Sequence, residues 1–166
     1  MKSLFVSSIC ILIFLVEPGI SQPPETEVKR GYGYAFAAPG VVAGEGSSSA
    51  TLTFGGGGEG LLTHWLGISA DIGYLFFPRN GFSEGFGLFS PGVFYQFNRN
   101  HKVVPFVTGG YSLAFRQGTE NLIHFGGGVN YWFSNHFGMR FEGRDHIDPR
   151  YGNENWLQFR VGFLMR

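Results

Sequence analysis

Residues 137–145 read Phe-Gly-Met-Arg-Phe-Glu-Gly-Arg-Asp. Phe137, Met139 and Phe141 take the odd positions, and Gly138, Arg140, Glu142 and Arg144 take the even ones. In an extended chain successive side chains point to opposite faces, so a strand separates these two sets completely. A helix would mix them around its circumference. The segment therefore reads as a strand with one face apolar as far as Asp145 at its end and one face of charges and glycine.

The same period of two recurs in seven more segments, bounded by turn residues. About Tyr32–Ala38, Tyr32, Tyr34 and Phe36 alternate with Gly33, Ala35 and Ala37. About Ala50–Gly60, Leu52 and Phe54 alternate with Thr51, Thr53 and Glu59. About Trp65–Phe77, Leu66, Ile68, Ala70, Ile72 and Tyr74 oppose Gly67, Ser69, Asp71 and Gly73. Phe86–Phe97 and Val103–Phe115 set Phe89, Val93, Tyr95, Val107 and Tyr111 against Ser90, Gly92, Gln96, Thr108 and Ser112. Leu122–Phe133 sets Phe125, Val129 and Tyr131 against His124, Gly126, Gly128 and Asn130. Trp156–Met165 sets Leu157, Phe159, Val161 and Phe163 against Gln158, Arg160 and Gly162. Eight such strands and no amphipathic helix make an all-β chain.

Composition agrees. The chain of 166 residues holds 27 glycines and 19 phenylalanines, with only 14% charged residues. Abundant aromatics and low charge exclude a disordered chain. Glycine and aromatics disfavour a helical bundle. Lys+Arg and Asp+Glu are both 12. Net charge therefore gives the chain no attraction to nucleic acid.

Polarity of the two faces decides between a soluble barrel and a membrane barrel. A soluble eight-stranded barrel is apolar inside and carries its charges outside. Here one face is a belt free of charge, and the other mixes Gly, Ser and Thr with Glu59, Asp71, Arg140, Glu142, Arg144 and Arg160. Small residues and opposed charges suit a narrow interior, where these six form a candidate ion network. Lipid offers no partner to an open sheet edge, so the sheet closes. Strands of about 9–11 residues cross a tilted bilayer path. The expected fold is an eight-stranded antiparallel up-and-down transmembrane β-barrel. Aromatics are expected on the lipid side and glycines inside. Trp65, Tyr95, Phe97, Tyr131, Trp132 and Phe133 are expected in one rim girdle, and Tyr74, Phe76, Phe77, Phe86, Phe115 and Trp156 in the other. Short turns near Leu61–His64, Asn98–Lys102 and Ser134–His136 alternate with longer expected loops at Val41–Ser49, Pro78–Gly85, Arg116–Asn121 and His146–Asn155.

The N-terminus reads as an export address. Met1-Lys2 precedes an apolar run from Leu4 to Val16, and Gly19 and Ser21 supply small residues for cleavage. The run is shorter than the roughly 20 residues of a spanning helix. Residues 1–21 are the expected signal peptide, 22–30 a flexible periplasmic lead-in, and 31–166 the barrel domain. Cys10 is the single cysteine. Its loss with the signal leaves no thiol for a disulfide.

Residues 31–166 also resemble a known family, the small outer-membrane β-barrels of Gram-negative bacteria of the OmpA/OmpX type, often labelled porin-like. The resemblance rests on the signal peptide, Phe54-Gly55-Gly56-Gly57-Gly58-Glu59, Asp71-Ile72-Gly73-Tyr74, the run Pro105–Tyr111, the run Arg140–Asp145 and the end Phe159–Arg166. It implies residence in the outer membrane as a monomer among lipid and lipopolysaccharide. It also implies insertion by the assembly machinery, which reads the last strand. Family members usually end on an aromatic residue, whereas this chain ends Met165-Arg166. The peptidoglycan-binding domain of larger relatives is not expected.

Motifs for chemistry are sparse. Gly55, Gly57 and Gly60 match G-x-G-x-x-G, but a dinucleotide site needs a helix next and another strand follows. His64, His101, His124, His136 and His146 lack ligand spacing, so no metal and no cofactor are expected. Some eight-stranded outer-membrane barrels are lipid A deacylases with His, Ser and Glu at the outer rim. His146 and Glu142 supply two of these, but position 148 is Asp where the serine would stand. Acyl transfer needs a nucleophile beside its base. His146 is instead expected to begin a surface loop. The expected function is a non-enzymatic outer-membrane barrel with a structural, surface-interaction or weak porin-like role. The alternatives are a lipid A-modifying enzyme and a periplasmic lipocalin-like binder.

Overall fold

The computed structural model describes residues 31–44, 47–79, 81–116, 118–149 and 155–166. The expected signal peptide and lead-in lie outside the described residues. Eight strands follow one another: β1 (Gly31–Gly44), β2 (Ser47–Leu61), β3 (Leu66–Phe77), β4 (Gly81–Gln96), β5 (Val103–Phe115), β6 (Thr119–Trp132), β7 (Phe137–Ile147) and β8 (Asn155–Met165). Each pairs antiparallel with the next, and β1 pairs with β8 to close the barrel. Closure leaves no unpaired edge, the condition lipid imposes on a sheet.

With an even number of strands, the start of β1 and the end of β8 share one end of the barrel. The β2–β3, β4–β5 and β6–β7 turns lie at this terminal end. Two of them are built alike. The Thr63 hydroxyl accepts from the Leu66 amide at 3.1 Å, and the Ser134 hydroxyl accepts from the Phe137 amide at 3.0 Å. In the third, Asn98 adopts a left-handed backbone with φ of 55°. Asparagine tolerates that region better than most residues.

The expected contrast of short turns and long loops is corrected. Strand pairing continues into most of the expected loops. Gly44 pairs with Ser47, Phe77 with Gly81, and Phe115 with Thr119. Residues 45–46, 78–80 and 116–118 alone lie between these strands, and 148–154 between β7 and β8. Turn residues in a sequence mark weak strand propensity, but a neighbouring ladder supplies hydrogen-bond partners that override it. β4 reaches 16 residues. That exceeds what a bilayer crossing needs.

The outward face is apolar apart from Asp145 near the far end of β7. Ile68, Ile72, Phe89, Val93, Val107, Phe125, Phe141, Leu157 and Phe159 all lie on it, exposed. The inward face carries Thr51, Thr53, Ser69, Ser90, Gln96, Thr108 and Asn130 with the charged residues. This polarity is the inverse of a lipocalin's, so the lipocalin-like alternative fails and the barrel is transmembrane.

Three expectations about aromatics are corrected. Tyr32, Tyr34 and Phe36 of β1 point into the lumen, and Ala35 faces outward. Gly57 and Gly55 on β2 stand opposite Tyr34 and Phe36 and clear the room those rings occupy. A Cβ on Gly55 would come within 2.6 Å of Phe36 Cζ. Trp132 and Trp156 are buried and belong to neither girdle. Phe76 is also buried, stacked 6.2 Å from the Phe54 ring and outside the lumen cluster that holds Leu75 and Phe77.

The lumen is layered along its axis. At the terminal end Tyr32, Val104, Trp132 and Leu164 pack together with Tyr34, Phe36 and Ala38. At the opposite end Leu75, Leu88, Ala114, Leu122 and Trp156 form a second apolar layer. The polar and charged side chains lie between these two plugs.

Candidate functional site: a sealed ion network in the lumen

β7 places Arg140, Glu142 and Arg144 at successive inward positions. Glu142 is in register with Arg160 on β8. Asp71 enters from β3, which lies four strands from β7 around the ring in either direction, and Glu59 enters from β2. The glycines of the neighbouring strands make the space. Gly126 pairs with Arg144, Gly128 with Glu142, and Gly57 with Asp71. A Cβ on Gly128 would come within 2.8 Å of Glu142 Cα.

The structure brings all six candidate residues together. Arg140 donates from Nη1 to Glu59 Oε1 at 2.6 Å and from Nε to Glu142 Oε2 at 2.8 Å. Arg144 donates from Nε to Glu142 Oε1 at 2.6 Å and from Nη1 to Asp71 Oδ2 at 2.9 Å. Arg160 Nη2 lies 3.1 Å from Asp71 Oδ1, and its Nη1 lies 3.7 Å from Glu142 Oε1. Three guanidinium groups meet three carboxylates, so the network is neutral. The side chain of Arg140 is 1% exposed and that of Glu142 0%. Ions this deep persist only when paired and hydrogen-bonded, because desolvation costs several kcal/mol per ion.

Further groups surround the ions, although Arg140 Nη2 and Arg160 Nε find no hydrogen-bond partner among the described residues. The Tyr32 hydroxyl donates to Glu59, and the Tyr34 hydroxyl donates to Asp71 at 3.2 Å. Gln96 Nε2 and Asn130 Nδ2 donate to the Tyr32 hydroxyl at 2.7 and 3.0 Å. Arg140 stacks 3.9 Å from the Phe106 ring centroid, and Arg160 stacks 3.6 Å from that of Phe36. A guanidinium face is weakly hydrated and attracted to the ring quadrupole, so the aromatics of β1 and β5 take the place of water. Alternation in the sequence marks the six ions but not these partners. Gln96 and Asn130 stand on the polar face of their strands, but nothing local turns Tyr32, Tyr34 and Phe36 inward or says which strand across the lumen each would meet.

A second polar cluster lies between the network and the far plug. Ser112 Oγ donates to Ser90 Oγ at 2.8 Å and lies 2.9 Å from His124 Nδ1. His124 and His146 occupy paired positions on β6 and β7, with ring centroids 5.7 Å apart. The expectation that His146 begins a surface loop is corrected. β7 continues to Ile147, and the alternation from Arg144 turns His146 inward, where it is 1% exposed. Its Nδ1 lies 3.4 Å from the Trp156 carbonyl oxygen. The histidines also prove closer than their sequence spacing implies, since antiparallel register joins positions 22 residues apart. Among the described residues no three His, Cys, Asp or Glu side chains are grouped to hold a metal ion. Gly55–Gly60 lie within β2, and the element that follows is the strand β3 and not a helix.

No protein-family model matches the sequence, and no curated protein sequence matches it significantly. Solved structures match its fold. Neisserial surface protein A superposes with a TM-score of 0.62 at 16% identity, over 81% of this chain and 96% of that one. Ail, the attachment invasion locus protein of Yersinia pestis, gives a TM-score of 0.55 at 12% identity, over 82% and 97%. The N-terminal β-barrel domain of Pseudomonas aeruginosa OprF gives 0.54 at 16%, over 82% and 100%. The fold is that of the small eight-stranded outer-membrane β-barrels of the OmpA/OmpX type.

Proposed function

We propose that the chain is an integral outer-membrane barrel with a structural or surface-interacting role in the cell envelope, and that its lumen neither conducts solutes nor carries out catalysis. The observation that carries this reading is the layered lumen. A neutral ion network spans the barrel between two apolar plugs, one around Trp132 and one around Trp156. An eight-stranded barrel is just wide enough for its own side chains, and here they fill it. The working surfaces are then the apolar wall and the two ends. The Ser112–His124 pair gives the enzyme alternative no support, since Ser112 is 0% exposed and out of reach of a lipid acyl chain.

The apolar wall favours a bilayer, and the fold favours the outer membrane. The termini remain on the periplasmic side if only hairpins cross during insertion. β8 pairs with both β7 and β1 and closes the barrel. It is the strand we assign to the outer-membrane assembly machinery, with lipid and lipopolysaccharide as the surrounding partners. The test is a planar-bilayer recording of refolded protein. The expected result is a silent membrane after verified insertion. Steady unitary currents would overturn the reading.

A further inference from the structure

The three turns at the terminal end of the barrel carry charge of one sign. These turns and the final residue hold Arg99, Lys102 and Arg166, with His64, His101 and His136, and no Asp or Glu. The opposite end mixes Arg79, Glu84, Arg116, Glu120 and Asp148. The cations of the terminal end are gathered in one place. A cavity of about 580 Å³ opens between the β4–β5 and β6–β7 turns, lined by Arg99, Lys102, Arg166, His101, His136 and Trp132 among others.

The cavity is built. Arg166 lies over the Trp132 ring at 4.0 Å, and its Nε donates to the Asn135 carbonyl at 3.0 Å. Its amide donates to the His136 carbonyl at 2.9 Å. The Asn98 turn carries Arg99 and Lys102 to the opposite wall. Partial burial lowers the Arg166 pKa below its ordinary value, with Tyr32 opposing. An anion brought beside it would recover the lost solvation. Asn100 and Asn135 add neutral hydrogen-bonding groups to the lining.

Position selects the anion. Phe133, which lines the cavity, is exposed, and so are Tyr95, Phe97, Tyr131, Phe137 and Phe163 beside it. Such an aromatic girdle sits at headgroup depth in a membrane barrel. We propose that this cavity binds the phosphodiester headgroup of an anionic phospholipid in the leaflet on the terminal side. The inference rests on the membrane reading above. Basic pockets at a membrane face hold anionic headgroups by this chemistry, at about 1 kcal/mol for each nearby cation.

The test uses the whole barrel refolded in a zwitterionic detergent and offered phosphatidylglycerol and phosphatidylcholine together, with retained lipid read by native mass spectrometry. Phosphatidylglycerol is expected to be retained in preference. Arg99→Gln and Lys102→Gln are each expected to lower its retention about five-fold. Arg79→Gln at the opposite end should leave it unchanged. Equal retention of the two lipids, or retention indifferent to Arg99→Gln and Lys102→Gln, overturns the proposal. Displacement by inorganic phosphate, beyond that by chloride at equal ionic strength, also overturns it, because the ligand is then a free anion. Heat-modifiable migration on a gel reports the barrel separately, so a failure to fold is distinguished from a failure to bind.

Discussion

Arg140 and Glu59 meet at 2.6 Å inside the barrel although 81 positions separate them in the chain. Arg140 also holds Glu142, and Arg144 joins Glu142 to Asp71 on the opposite wall. The bridge ties β2 and β3 to β7 across the lumen, a connection the ring of backbone hydrogen bonds does not make.

Removing one partner should cost more than removing two. Arg140→Met leaves Glu59 without its guanidinium and deprives Glu142 of one of its own. Loss of a single partner from a buried pair costs about 3–5 kcal/mol. The double variant Arg140→Met with Glu59→Leu removes both charges and is expected to recover much of that loss. Urea unfolding of the refolded barrel in vesicles measures both. Equal destabilisation of single and double variants would show that the pair is not coupled.

Two glycines of β2 offer a matched comparison. A Cβ on Gly57 would lie 2.6 Å from both the Ala70 carbonyl oxygen and Asp71 Cβ, whereas one on Gly60 meets nothing within 4 Å. Gly57→Ala is therefore expected to destabilise by about 1–3 kcal/mol through overpacking. Gly60→Ala should change little. The unfolding midpoints of the two variants decide the matter.

Charge on the outer wall should report depth. Phe125 lies midway along β6 on the outward face, and Phe97 lies beyond the end of β4 at the rim. Phe125→Arg is expected to cost about 2–4 kcal/mol and Phe97→Arg about 0–1 kcal/mol. Similar penalties at both sites, read from folding equilibria in vesicles, would contradict a bilayer centred on this belt.

Ser112 serves the lumen as a hydrogen-bond partner. Ser112→Ala would strip His124 Nδ1 and Ser90 Oγ of their contact with its hydroxyl. Leaving buried polar groups unsatisfied costs about 1–3 kcal/mol each. Reduced stability is the expected outcome, with the acyl pattern of lipid A unchanged between cells with and without the gene. A change in that pattern, abolished by Ser112→Ala, would establish an enzyme.

Alternation made most of the wall legible. Charged residues oriented β2, β3, β7 and β8, because a carboxylate or guanidinium facing lipid is costly, and Asp145 near the far end of β7 is the exception. β1 carries no charge between Gly31 and Gly44. Its two faces were separable in the sequence, but nothing local said which pointed inward. The answer came from β2, where Gly55 and Gly57 left space that Phe36 and Tyr34 fill. Strand ends behaved likewise. The turn-forming stretches at Val41–Ser49 and Arg116–Asn121 read as loops, yet most residues of the first and half of the second pair with the neighbouring strand.

The sequence by itself determined the all-β class, the number of strands, the apolar wall and the six ions of the interior, because a period of two and a charge-free face are local properties. Tertiary structure alone decided which ion holds which, that Trp132 and Trp156 close the lumen, that His146 lies inside it beside His124, and that Arg99, Lys102 and Arg166 share one cavity. These depend on barrel closure, which fixes the register between strands and brings into contact residues that sequence spacing leaves far apart.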